Sequence, residues 1–177
     1  MNLKLKRTPG VYLVGFMASG KSTVGRHLAR RMGWSFFDTD EEIASAEGVS
    51  IAEIFETRGE AEFRRIESLM IARHLQWIEN GRPAVIALGG GAFAEAANRE
   101  RLENNGVTVW LDCPFEIVRQ RLGNHGPVRP LAADAEKFAL LYRTRRADYQ
   151  LADVRIEISS DDPEITVDTI LTDPAFK

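Results

Sequence analysis

With a single cysteine, Cys113, in 177 residues, the chain can form neither an intrachain disulfide nor a site built from several cysteines. Cys113 stands just before Pro114 and reads as a small, half-buried apolar residue. No apolar run approaches the roughly 20 residues of a membrane-spanning helix. Basic residues are not in excess: 23 Lys and Arg against 26 Asp and Glu leave a net charge of −3, the wrong sign for a dedicated nucleic-acid binder. Residues 1–7 are basic but lack the apolar stretch of a secretory signal, so a cytoplasmic location is expected. There is no Asn-Lys-x-Asp string of the kind that reads guanine, no internal repeat and no low-complexity tract. The length suits one domain with a substantial core, expected over residues 1–177.

What is present is concentrated at Gly15–Ser22, which reads Gly-Phe-Met-Ala-Ser-Gly-Lys-Ser. This is the phosphate-binding pattern G-x-x-x-x-G-K-[ST]. Gly15 and Gly20 permit the backbone angles of a loop that wraps an anion, and the loop amides point inward as a cradle. The positive end of the following helix adds to it. Lys21 reaches the β- and γ-phosphates, and the Ser22 hydroxyl can ligate Mg²⁺. The apolar run Val11–Val14 precedes the loop, and Val24, Leu28 and Met32 follow at helical spacing. Strand, loop, helix is the context that the motif requires.

Five short apolar runs read as strands: Val11–Val14, Ser35–Phe37, Val85–Leu88, Val107–Leu111 and Val154–Ile158. They lack strict alternation, as expected for strands covered on both faces. Helices are expected between them: Lys21–Met32 ending at Gly33, a short one capped by Ser50, one over about 60–79, Phe115–Leu122 after Pro114, and Asp134 to about Tyr149. A last helix opens at Asp161 or Asp162 before Pro163. The alternation predicts an α/β fold, a five-stranded parallel sheet with helices on both faces. Leu122–Asp134, with Gly123, Gly126, Pro127 and Pro130, is the one long irregular stretch, a length that often marks a lid.

Three further features fall at strand ends, where such a sheet places its site. Asp38-Thr39-Asp40 puts two carboxylates directly after an apolar strand, suited to organising a metal and accepting a hydroxyl proton, or to capping the next helix. Gly89-Gly90-Gly91 follows another strand and either admits a ligand to the backbone or simply makes a tight turn. Arg64, Arg129 and Arg145 carry the fork that matches carboxylate and phosphate, whereas Arg26, Arg30 and Arg31 read as solvated. His27 and His74 read as helix-surface or boundary residues, and His125 as a solvated loop residue.

The phosphate loop extended through Thr23-Val24-Gly25-Arg26, Asp38-Thr39-Asp40, Phe63-Arg64 followed by Glu67, Gly89-Gly90-Gly91, and Arg129-Pro130-Leu131 together resemble the shikimate kinase family in order and spacing. The resemblance covers nearly the whole chain. It implies a P-loop kinase of the nucleoside-monophosphate-kinase type with a mobile lid at about 122–134 and substrate-binding helices at about 40–80. It implies transfer of the γ-phosphoryl group of ATP to the 3-hydroxyl of shikimate, with Mg²⁺ as cofactor, in a monomer without nucleic-acid or membrane partners. Ala18, Ser19, Gly20, Lys21, Ser22 and Thr23 would hold phosphates, with Ser22 and Asp38 at the metal. Asp40 would engage the shikimate hydroxyls and act as base. Arg64 and Arg145 would clamp the shikimate carboxylate, with Gly89, Gly90 and Gly91 alongside. Arg129 would close over the phosphates as a catalytic lid residue, and Arg121 and Pro163 would grip adenine.

The chain departs from the family pattern in two places. Arg-x-Pro-x-Tyr becomes Arg145-Arg146-Ala147-Asp148-Tyr149, which leaves Arg146 and Arg143 as alternatives to Arg145. Leu88 stands where threonine is common. Another small-molecule kinase, such as a gluconate kinase, uses a similar loop and acids. A nucleotide-dependent regulatory module is a further reading, opposed by the full set of charged site residues.

Overall fold

The structure is a computed structural model, and it describes residues 10–103, 105–124 and 134–177. The strands are β1 (Gly10–Val14), β2 (Ser35–Asp38), β3 (Ala84–Ala87), β4 (Val107–Asp112) and β5 (Val154–Glu157). They form one sheet in the order β2-β3-β1-β4-β5. Every pairing is parallel, with Val11 beside Val85 and Val107, and Asp38 beside Ala87. The helices are α1 (Lys21–Met32), α2 (Thr39–Glu47), α3 (Ile51–Glu79), α4 (Ala96–Glu103), α5 (Phe115–Asn124), α6 (Ala135–Tyr149) and α7 (Pro163–Thr172).

Continuous apolar runs make the central strands: β1, β3 and β4 are buried along their whole length. The edge strand β5 instead alternates, with Val154 and Ile156 inward and Arg155 and Glu157 outward, because one of its faces is open to solvent. A large core spans the sheet and its flanking helices. A second cluster, Ile43, Ile54, Phe63, Ile66 and Met70, holds α2 against α3.

The helix boundaries follow local chemistry. Ser50 accepts from the Glu53 amide, Asp134 from the Lys137 amide and Asp162 from the Glu164 amide, each at a helix start. Gly59, at φ 83 and ψ 168, breaks α3 into the two segments that the sequence suggests. Three expectations need correction. Leu122–Asn124 continue helix α5 rather than beginning the irregular stretch. The remainder of that stretch, 125–133, lies outside the described residues, and with it Arg129 and His125. Helix α4 and the 3₁₀ turn Ala92–Ala94 were not expected, because their alanines and charges carry no apolar stripe. His74 is not on the surface: it falls on the Ile71, Leu75 and Ile78 face, is 4% exposed, and stacks on Phe37 at 4.6 Å. Its Nε2 lies 2.5 Å from Glu42 Oε2, while burial holds its pKa below the usual histidine range.

Since β1 has β3 on one side and β4 on the other, the strand order reverses around it. The crevice beyond the carboxyl end of β1 is therefore the switch point where ligands bind in open parallel sheets. The phosphate loop begins there.

Candidate active site

The loop joins β1 to α1 with backbone angles that glycine tolerates. Gly15 has φ 148, and a Cβ there would meet the Leu111 carbonyl at 2.8 Å; Gly20 has φ 96 and stands at the N-cap of α1. Ala18 adopts φ 59, the only positive value among the described non-glycine residues. No side chain caps α1 and no acid stands in its first turn, so its leading amides remain available to an anion. The Lys21 ammonium donates to the Gly15 and Phe16 carbonyls at 2.8 and 2.9 Å, folded back over the loop it would share with phosphate. Thr23 is exposed on the first turn of α1, and Ser19 is buried with its hydroxyl unpartnered.

Asp38 accepts from three neighbours at once. Oδ1 accepts from the Asp40 and Glu41 amides at 3.0 and 3.2 Å, capping α2, and Oδ2 accepts from the Ser22 hydroxyl. The capping reading of this acid therefore holds, while its other oxygen faces the Ser22 hydroxyl beside the phosphate loop. Ser22 and Asp38 offer paired hard oxygens next to the cradle, which is the donor chemistry of Mg²⁺. No group of three or more His, Cys, Asp or Glu among the described residues could hold a metal alone. A cation here would take its remaining ligands from phosphate and water, as Mg²⁺ usually does.

Thr39 was not singled out from the sequence, yet it joins two strand ends. Its hydroxyl donates to the Ala87 carbonyl at 3.3 Å and accepts from the Gly89 amide at 3.0 Å. The glycine triplet then meets charged groups. A methyl on Gly89 would stand 2.7 Å from both Asp40 Oδ1 and Glu67 Oε1, and one on Gly91 would run into the Arg64 guanidinium. Gly90 has no such crowding, with its nearest atom at 3.7 Å.

Glu67 is fully buried. Its Oε2 accepts from Arg64 Nη1 at 2.7 Å, and its Oε1 has no hydrogen-bond partner. Burial pushes its carboxyl above the ordinary glutamate range; Arg64 opposes that rise and Asp40 adds to it. Glu60 accepts from Arg64 Nη2 at 3.3 Å, and the rings of Phe63 and Phe55 lie under the guanidinium at 5.2 and 6.0 Å. The signal for Glu67 was its place one turn after Arg64.

Arg145 lies on the last turns of α6 with Asp148 at 4.0 Å. Burial raises the Tyr149 hydroxyl far above the usual phenol range, and the nearby charges of Arg145 and Arg64 oppose it. That hydroxyl donates to the Gly90 carbonyl at 2.5 Å, so α6 meets the glycine loop where Arg64 and Glu67 converge. Arg146 instead turns to Asp112, donating to both carboxylate oxygens. Arg121 donates to the Ala18 carbonyl at 3.0 Å and to Asp161 Oδ1 at 2.7 Å, which draws the segment before Pro163 beside the phosphate loop.

A parallel sheet in this order, with a phosphate loop at its switch point and acids and arginines lining the crevice, defines a P-loop kinase of the nucleoside-monophosphate-kinase type. The family model for shikimate kinase matches residues 17–173. The chain belongs to the shikimate kinase family. A shikimate kinase of Persephonella marina is 38% identical over 161 residues, spanning 91% of this chain and 96% of that protein. Shikimate kinase from Acinetobacter baumannii, solved in complex with shikimate, matches with a TM-score of 0.83 and 36% identity over 97% of this chain and 95% of that one. A gluconokinase from Sinorhizobium meliloti matches with a TM-score of 0.55 over 92% of this chain and 89% of that one, and at 17% identity it shares the fold alone.

Proposed function

We propose that this chain transfers the γ-phosphoryl group of ATP to the 3-hydroxyl of shikimate, giving shikimate 3-phosphate and ADP. The observation that carries this reading is the meeting of Asp40, Glu67 and Arg64 at the glycine triplet, beside a phosphate loop, in a member of the shikimate kinase family. The relative from Acinetobacter baumannii was solved with shikimate, which supports the acceptor.

The roles follow from the chemistry. The loop amides of residues 18–23 and Lys21 hold the β- and γ-phosphates and spread charge over the transferring group. Mg²⁺, held through Ser22 and Asp38, would neutralise phosphate charge when bound. The acceptor carboxylate meets Arg64 and Arg145, whose guanidinium forks match it, with the amides of Gly90 and Gly91 alongside. Asp40 orients the 3-hydroxyl. As the bond from that oxygen to the γ-phosphorus forms and the bond to the β,γ-bridging oxygen breaks, Asp40 takes the hydroxyl proton and ADP leaves. Glu67 holds Arg64 in place. Arg121 and Pro163 flank adenine, and Arg129 in the lid completes the charge around the phosphates and excludes water.

We further assign the chain as a single domain in which 40–80 forms the acceptor side. It would act as a cytoplasmic monomer; among the described residues no helix is long and apolar enough to cross a membrane. The test is ADP release with shikimate, with gluconate and with no acceptor, side by side. Release dependent on shikimate alone is expected. Equal release with gluconate, or without acceptor, would overturn the assignment.

A further inference from the structure

Helix α6 presents three side chains at positions 142, 146 and 149, a spacing that places them on one face. Each reaches the carboxyl end of the sheet. The Tyr142 hydroxyl donates to the Cys113 carbonyl at 2.8 Å, and the Tyr149 hydroxyl donates to the Gly90 carbonyl. Between them, Arg146 donates through Nη1 and Nη2 to the two oxygens of Asp112, the second bond at 2.9 Å. The Asp112 side chain is 6% exposed and also accepts from Arg155 Nε at 2.9 Å. Arg146 further lies 4.9 Å from the centre of the Trp110 ring and donates to the Tyr142 hydroxyl at 3.1 Å.

A partly buried ion pair of this kind, with Asp112 buried and Arg146 part-exposed, adds little net stability, because desolvation of the carboxylate offsets most of its attraction. What a two-pronged guanidinium–carboxylate pair adds is direction, since both bonds survive only in one orientation. Arg145 is the next residue back on the same helix, and its ion pair is a 4.0 Å contact with Asp148 on that same helix. The rotation of α6 therefore decides where Arg145 points. A turn of 20° about an axis some 6 Å away moves a side-chain group by about 2 Å, enough to break a hydrogen bond.

We propose that Arg146 and Asp112 are positioning residues for the acceptor carboxylate: their paired bonds set the rotation of α6, and through it the direction of Arg145, without touching either substrate. This rests on the shikimate kinase reading, in which Arg145 is part of the carboxylate clamp. It is in keeping with Arg145 rather than Arg146 serving the clamp, because Arg146 is paired with Asp112.

The test compares Arg146→Ala, Arg146→Lys and Asp112→Asn in the full chain, measuring KM for shikimate, KM for ATP, kcat and melting temperature. Arg146→Ala should raise KM for shikimate roughly 5- to 20-fold, with KM for ATP within about twofold and kcat within about threefold. Asp112→Asn should reproduce this split, and Arg146→Lys, which keeps charge without the fork, should fall between. In an Arg145→Ala background, Arg146→Ala should add less than about twofold. A full additional penalty in that background would overturn the proposal, since Arg146 would then act independently of Arg145. So would a loss spread equally over both substrates in step with melting, or an Asp112→Asn enzyme that binds shikimate normally. Should Arg146→Ala fail to fold, Arg146→Lys and Asp112→Asn carry the same comparison. Wild-type enzyme without shikimate-dependent ADP release would instead defeat the functional reading itself.

Discussion

Arg64 packs directly on the backbone of Gly91: a methyl built on that glycine would stand 2.5 Å from Nη1 and 2.6 Å from Cζ. The guanidinium occupies the space that any side chain would need, while Glu67 and Glu60 hold it from the other side. The triplet is thus two separate requirements around a permissive middle residue. Gly89 makes room for Asp40 and Glu67, Gly91 makes room for Arg64, and Gly90 contributes its carbonyl to Tyr149.

Gly91→Ala is therefore expected to displace Arg64 and raise KM for shikimate about tenfold or more, the loss of one charged hydrogen bond of about 1.5–3 kcal/mol. Gly90→Ala, with its nearest atom at 3.7 Å, should change it far less. Arg64→Ala should match Gly91→Ala, and all three should bind ATP normally. Calorimetric titration with shikimate and with a nucleotide analogue measures this; equal damage at positions 90 and 91 would show that the crowding is not what matters.

Lys21→Met should cut kcat by about 10²-fold or more, because it removes a donor aimed at the charge that develops on the phosphoryl group. The lysine stands at the phosphate loop and donates to the Gly15 and Phe16 carbonyls, and the fold is expected to be little affected by its loss. Circular dichroism and a melting curve run beside the assay separate the two effects. A turnover within threefold of wild type would place the chemistry elsewhere.

The two acids after β2 should separate by their metal response. Asp38→Asn weakens both the α2 cap and the pairing with Ser22, so it should shift the Mg²⁺ dependence of the rate to higher concentration. Asp40→Asn should lower kcat at every Mg²⁺ concentration, since it removes the proton acceptor. Rates measured across a Mg²⁺ titration make the comparison, and superimposable metal profiles for the two variants would undo the division of roles.

His74 predicts a pH effect on stability rather than on chemistry. Burial holds its folded-state pKa below the ordinary value near 6.5, with Glu42 opposing that shift and Arg73 adding to it. The folded protein thus binds fewer protons here than the unfolded chain. The stabilisation is complete above about pH 6.5 and is lost as pH falls from there through the folded-state pKa. Melting temperatures of wild type and His74→Gln should therefore converge as pH is lowered from 7.5 to 5.5. A constant gap would mean that the fold leaves this pKa unshifted, and a gap that widens as pH falls would mean that the fold raises it.

Much of the site is legible in the chain itself, because its local chemistry leaves few choices. A strand, Gly15–Ser22 and a helix can only make a phosphate loop, and acids after an apolar run can only lie at a strand end. Ser50, Asp134 and Pro163 announce their helices through orphan amides that must be capped. The burial of His74 was also within reach, at the same spacing as Ile71, Leu75 and Ile78. The weak helix α4 was not, since it has no apolar stripe and forms by packing on its neighbours.

What sequence alone determined is therefore the family, the kind of reaction and the residue types that carry it: contiguous motifs encode a phosphate cradle whatever surrounds it. What only the tertiary structure decided is which of these residues meet. The choice of Arg146 for Asp112, the seat of Arg64 on Gly91 and the stitch of Thr39 between two strand ends join positions 27 to 50 residues apart. No local pattern records such pairings, because they exist only once parallel strands align their carboxyl ends and bring those side chains to one edge of the sheet.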